Sequence, residues 1–309
     1  MPVTNRPAKL IGLVLNRNFL LLSSIALGFA LGDVARWTEG LTVPALAAAM
    51  AVSLTQVASS AFRSWRRLIR AALVSLVLTY GVMGTVMLVL ARLLMPDREL
   101  WIGSVLVAAV PSGVAVVPFS YILGGDTTFA LLGSVGVYLA ALVVTPLIIL
   151  GVAGSSVLQP TRLAIILLQL IIVPLVLSRL VLASPLRQAA ERWRGKVVNL
   201  AFALVVFTVV GVNRDLLVAQ PQVLLLTALV AIGSNFGLAL LLELVLRRMQ
   251  IKRRALVSYI LMGTLKNTGL AAATALALLG ERASVPGAVA SAVSVLYLLW
   301  LGVRWKGRE

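Results

Sequence analysis

Apolar runs of about twenty residues, repeated from one end of the chain to the other, constrain this sequence more than any other feature. A membrane helix needs about 20 mostly apolar residues, because ~30 Å of hydrocarbon is crossed at ~1.5 Å per residue. On that ruler ten spans are predicted, at 10–31, 41–58, 69–94, 101–123, 127–152, 161–182, 197–212, 222–246, 255–279 and 284–303. The runs are continuous Leu, Val, Ala and Ile without period-two alternation, which excludes the strands of a membrane barrel. Composition agrees: 61% of the 309 residues are hydrophobic and 12% charged, against the roughly 25% charged of a soluble domain. The predicted fold class is an all-α membrane protein of ten transmembrane helices.

The net charge of +17 does not point to nucleic acid, because the Lys and Arg residues sit in short clusters between apolar runs. Counted by alternate connections, twenty fall on one side and six on the other. Arg63, Arg66, Arg67 and Arg70 form one cluster of the rich side, and Arg247, Arg248, Lys252, Arg253 and Arg254 another. The positive-inside rule then predicts both termini in the cytoplasm and a multi-pass protein of the inner membrane. Residues 1–9 are short and polar and are not expected to be a cleaved signal. Trp37, Trp65, Trp101, Trp193, Trp300 and Trp305 all lie near span ends, where interfacial belting accounts for them. With no Cys and no His, thiolate chemistry, disulfides and the usual near-neutral proton relay are excluded, and neither cofactor nor metal is expected. No paired carboxylates and no nucleophile beside a base suggest an enzyme.

One basic residue, Lys266, is left over from that count and lies in the middle of the ninth span. A charge at that depth costs a few kcal/mol on insertion scales and faces a polar cavity or a partner. Around it runs Gly263-Thr264-Leu265-Lys266-Asn267-Thr268-Gly269, and at the corresponding place in span four stands Pro111-Ser112-Gly113, followed by Pro118. Proline removes a backbone donor, and glycine permits non-helical backbone. Unwound stretches at membrane depth survive where they are packed in protein or line a cavity. Spans four and nine are each fourth in a half of five, so the predicted architecture is two inverted five-helix repeats with discontinuous helices four and nine. The substrate-binding candidates are Lys266, Asn267, Thr264, Thr268, Pro111, Ser112, Gly113 and Asn235. Asn235 with Ser234 reads equally as interhelical glue. Gln56, Asn213 and Tyr138 lie near expected cavity positions, and Glu243 is spaced to pair with Arg247. Asp126 beside Gly124 and Gly125 is a turn residue capping span five or, alternatively, a proton or cation site at the cavity mouth.

The run from Gly263 to Ala272, continued by Ala283-Ser284-Val285-Pro286-Gly287-Ala288, resembles the ninth and tenth helices of the bile acid:sodium symporter family. The stretch Pro111-Ser112-Gly113-Val114-Ala115 through Gly124-Gly125-Asp126-Thr127-Thr128 is similar, more loosely, to its fourth and fifth. The resemblance implies a panel domain at 1–58 and 153–214 and a core domain at 59–152 and 215–309 in which the discontinuous helices four and nine are crossed. It also implies sodium sites whose ligands are here largely replaced. Val116 and Val117 stand for a Ser-Asn pair, Ala130 for a hydroxyl, Met262 for a carboxylate and Lys266 for a Gln, while Ser134 and Asn267 remain. Ser134, Asp126 and Lys266 are therefore the ion-coupling candidates.

Three readings of Lys266 compete: a structural substitute for sodium, a binder of an anionic substrate, and a group that loses and regains a proton. The expected function is sodium-independent, alternating-access transport of a small organic anion, with the bilayer and that anion as partners. Protons are the coupling ion of the rival reading, an antiporter or efflux carrier of the same fold. A non-transporting receptor or scaffold is disfavoured by the lack of extended loops. The oligomer is a monomer or homodimer.

Overall fold

The computed structural model describes residues 17–55, 65–154, 161, 165 and 168–305. Gln56, a candidate above, lies outside them, as do parts of spans one, two and six. Every regular element among the described residues is helical: α1 (Arg17–Ala30), α2 (Gly32–Arg36), α3 (Glu39–Leu54), α4 (Trp65–Leu94), α5 (Arg98–Ala109), α6 (Val116–Ile122), α7 (Thr127–Ala153), α8 (Val173–Ala183), α9 (Arg187–Val212), α10 (Arg214–Ala219), α11 (Pro221–Arg248), α12 (Arg253–Thr264), α13 (Thr268–Leu279) and α14 (Glu281–Trp305). Five of them, α4, α7, α9, α11 and α14, are long and apolar enough to cross a membrane. These coincide with expected spans three, five, seven, eight and ten. The other expected spans fall on shorter or interrupted helices, or reach into residues outside the described set.

The chain writes its own boundaries. Asp97 caps α5, its carboxylate accepting from Leu100 N at 2.9 Å, and Asp126 caps α7 from Phe129 N at 3.0 Å. Each satisfies one of the orphan donors of a helix start. Helix α5 stops at Ala109 because Val110 precedes Pro111 and is driven into the extended region, with ψ 156°. In the ninth span the interruption is narrower than the seven-residue motif suggests. Gly263 and Thr264 stay helical and α13 resumes at Thr268, leaving Leu265 to Asn267 unwound. Thr264 Oγ1 donates back to Ile260 O at 2.6 Å, holding the last turn of α12, and Asn267 starts α13 by accepting from Leu270 N at 3.2 Å.

Two groups of helices result. In one, α9 packs against α1, α2 and α3, and α8 packs against α3. In the other, α4 and α5 lie against α7, α13 against α14, and α12 among α4, α6, α7 and α11. The groups meet where α9 contacts α13 and α14 and where α3 contacts α13. The interrupted helices lie on that boundary.

Candidate functional site

The two unwound stretches cross as extended backbone. Ser112 and Lys266 form an antiparallel bridge, with Gly113 N donating to Leu265 O and Asn267 N to Pro111 O, both at 2.9 Å. Backbone groups freed from both helices are thereby paired with each other, which is what lets non-helical chain exist in so apolar an interior. Glycine at 113 suits the close approach of the two stretches of backbone: a Cβ there would stand 3.0 Å from the Lys266 carbonyl oxygen, a tight contact.

Two carbonyls of the broken α5 end would remain without partners, and Lys266 supplies them. Its Nζ donates to Ala108 O at 2.6 Å and Val110 O at 2.9 Å, and lies 4.4 Å from the centre of the Tyr80 ring. The residue is 3% exposed. An ammonium has three N–H donors. Here two carbonyls and one aromatic face surround it, and no carboxylate is among its partners.

The positions that the resemblance assigns to sodium ligands are apolar in space as in sequence. Val116, Ala130 and Met262 are fully buried in a single hydrophobic cluster with Ile260, Leu261 and Tyr297, and Val117 packs against it.

Two cavities flank the crossing and share Val114. One, with about 430 Å³ of empty space, lies between α3 and α7 and is lined by Met50, Ser53, Leu54, Val117, Leu131, Ser134, Val135 and Tyr138 as well as Val114. The other, about 490 Å³, lies between α9 and α14 and takes in Gly113, Phe202, Val206, Lys266, Asn267, Thr268, Ser291 and Ser294. Neither lining contains a carboxylate. The first sits toward the Leu54 end of α3 and the Thr127 end of α7. At the opposite end the helix groups are tied by Asn213, whose Nδ2 donates to Ser284 Oγ at 2.9 Å.

The structure thus brings Lys266, Asn267, Thr268 and Gly113 to one cavity and Ser134 and Tyr138 to the other, and leaves the remaining described candidates outside both linings. Pro111 and Ser112 are buried in the crossing itself. Thr264 faces the Tyr297 hydroxyl at 2.7 Å. Asn235 sits behind the wall, donating to Ser294 Oγ at 3.3 Å, and so acts as glue to a residue that does line a cavity. Asp126 is a turn residue: it caps α7, its N–H donates to Arg254 O at 2.8 Å, and Ser258 Oγ donates to its carbonyl at 3.0 Å.

Glu243 pairs with Arg247 at 2.7 Å as its spacing predicts, and also with Arg304 at 3.1 Å, a partner from another helix that spacing alone does not disclose. Tyr80 was missed for the same reason. Tyr138, which accepts from Asn267 Nδ2 at 3.1 Å, is drawn into the site by a contact that its sequence position only suggested.

Compared with known proteins, residues 43–220 match the sequence model of the Sodium Bile acid symporter family. The match covers more than half of the chain and contains the first interrupted helix, while the motif around Lys266 lies beyond it. No curated protein matches the chain.

Proposed function

The chain belongs to the sodium bile acid symporter family and is a multi-pass membrane transporter, and from that premise we propose that it carries a small organic anion by alternating access, independently of sodium, with the Lys266 ammonium in place of a bound cation. The observation that carries this reading is the pair of bonds from Lys266 Nζ to the carbonyls of Ala108 and Val110. Carbonyl oxygens of interrupted helices are the groups that hold a coupling cation in such folds. A tethered ammonium meets the same oxygens and cannot leave. Too few other ligands remain for sodium, which, like other hard cations, wants about six oxygens, and Val116, Ala130 and Met262 supply none.

The preference for an anion follows from charge. Lys266 is buried at the boundary of the two helix groups with no carboxylate among its partners, and the N-terminus of α13 opens onto the same cavity. Both make the local potential positive. Within this reading the α1–α3, α8 and α9 group is the panel and the remainder the core of ten spans in two inverted halves. The Asn213 to Ser284 bond ties the two groups on the outer side, while the cavity between α3 and α7 lies toward the cytoplasm, where the positive-inside rule puts the basic clusters.

A thermal-shift screen of the purified protein tests the proposal. Ligands that bind the native state raise its apparent stability, so carboxylates and sulfonates, taurocholate among them, should stabilise it in sodium-free buffer where neutral and cationic analogues do not. Stabilisation by cations, or by anions only when sodium is present, contradicts it.

A further inference from the structure

The transport reading leaves open which groups touch the anion, and the hydrogen bonds around Lys266 decide against the obvious one. Its ammonium is already directed at two carbonyls and the Tyr80 ring. An anion contacting it would have to displace one of these, and a displaced buried carbonyl loses its donor.

The cavity between α3 and α7 offers donors that nothing uses. Ser134 Oγ is buried without any hydrogen-bond partner, although Ser134 is only 9% exposed and lines the cavity. Buried hydroxyls in native proteins are nearly always paired, and an orphan calls for a reason. One helical turn further on the same face, Tyr138 accepts a hydrogen bond from Asn267 Nδ2. Its oxygen is thereby occupied as an acceptor while its own proton remains free to be donated into the cavity it lines. Asn267 follows Lys266 directly, so the donated bond is polarised by the neighbouring charge. The two residues, at i and i+4, share one face of α7 and line the same cavity. The other side of the cavity is largely apolar, with Met50, Leu54 and Val117.

We infer that Ser134 and Tyr138 form a two-hydroxyl subsite that receives a carboxylate or sulfonate oxygen of the transported anion, Lys266 contributing potential but no contact. The inference rests on the transport reading and assigns the contact residues of its substrate. Each hydroxyl has a proton to donate to such an oxygen, and the positive potential around Lys266 sets the preference for an anion over a cation.

The cysteine-free chain permits a test without a known substrate. Leu131→Cys places a thiol in this cavity with both hydroxyls intact, and Ser294→Cys places one in the other cavity. Each is treated in membranes with anionic 2-sulfonatoethyl methanethiosulfonate and with its cationic trimethylammonium counterpart, the rates being normalised to those with 2-mercaptoethanol. The thiol at position 131 should prefer the anionic reagent by roughly tenfold or more, the scale on which a cleft of one charge sign enriches its counter-ion. Adding Ser134→Ala should lower that preference several-fold, and adding Tyr138→Phe should lower it further. Because the Ser134 hydroxyl bonds to nothing in the fold, its removal should leave the melting temperature unchanged, which separates a binding role from a structural one. A thiol at 131 that reacts without preference or favours the cation, while the one at 294 reacts readily, overturns the subsite and leaves the transport cavity standing. An unchanged preference after Ser134→Ala also overturns it. If neither thiol reacts, the transport reading falls with it.

Discussion

The Lys266 ammonium lies 2.6 Å from the carbonyl oxygen of Ala108, so one interrupted helix is held to the other by a side chain as well as by the backbone bridge beside it. The lysine side chain completes the hydrogen bonding of a helix end that Pro111 has cut short.

Removing that side chain should cost stability. Lys266→Met keeps the length but strands the carbonyls of Ala108 and Val110, at about 1–3 kcal/mol for each unsatisfied group. Relief of the buried charge offsets part of this. The expected result is a melting temperature several degrees lower, measured by thermal unfolding in detergent. Lys266→Arg should rescue poorly, since a planar guanidinium does not fit between two carbonyls and the Tyr80 ring.

Sodium should be indifferent to the folded protein. Titrating sodium against potassium at constant ionic strength is expected to give no specific shift in melting temperature, because Val116, Ala130 and Met262 offer packing and no ligands. A saturable stabilisation by millimolar sodium would mean that carbonyls elsewhere suffice to hold it.

The breaks themselves were legible in the sequence, because Pro111 and the Gly263 to Gly269 run interrupt helices by local rules that act wherever the segment sits. Lys266 stood out as the one basic residue that the count by alternate connections left over, in the middle of a span. The extent of the second break was overestimated. The glycines at 263 and 269 permit unwinding without requiring it, and the hydrogen bonds of Thr264 and Asn267 restore the helix on either side. Partners across helices were not legible. That Tyr80 lies over Lys266, that Arg304 reaches Glu243, and that Asn267 meets Tyr138 depend on how helices pack, and spacing along one helix carries no trace of it. Ser134 came to notice only through resemblance to a sodium site. Its orphaned hydroxyl is a property of the folded protein alone.

A second tether lies near the chain segment between α4 and α5, where Arg282 donates to the Asp97 carboxylate and to Gln220 Oε1. Partial burial pushes the Asp97 carboxyl upward, but the hydrogen bonds from Arg282 and the Leu100 amide outweigh it and hold the carboxyl below the usual carboxylate range. A group depressed on folding stabilises the native state above its unfolded pKa of ~3.9, and the contribution is lost as pH falls through the folded value. Asp97→Asn should therefore lower the melting temperature at neutral pH. The difference from wild type should shrink as the pH drops below about 4.

Orientation can be read with single cysteines. Lys252→Cys and Arg98→Cys are exposed positions at opposite ends of the helices. An impermeant maleimide applied to intact cells should label the thiol at 98 and spare that at 252, and the reverse pattern would invert the proposed topology.

The claim that a fixed ammonium does the work of a mobile cation is tested most directly by uptake into proteoliposomes, using an organic anion chosen for its thermal stabilisation of the protein. The account predicts equal initial rates in sodium and in potassium for the wild type, and a loss of uptake in Lys266→Gln that sodium does not restore. Uptake that requires a sodium gradient, or wild-type rates from Lys266→Gln, would contradict it.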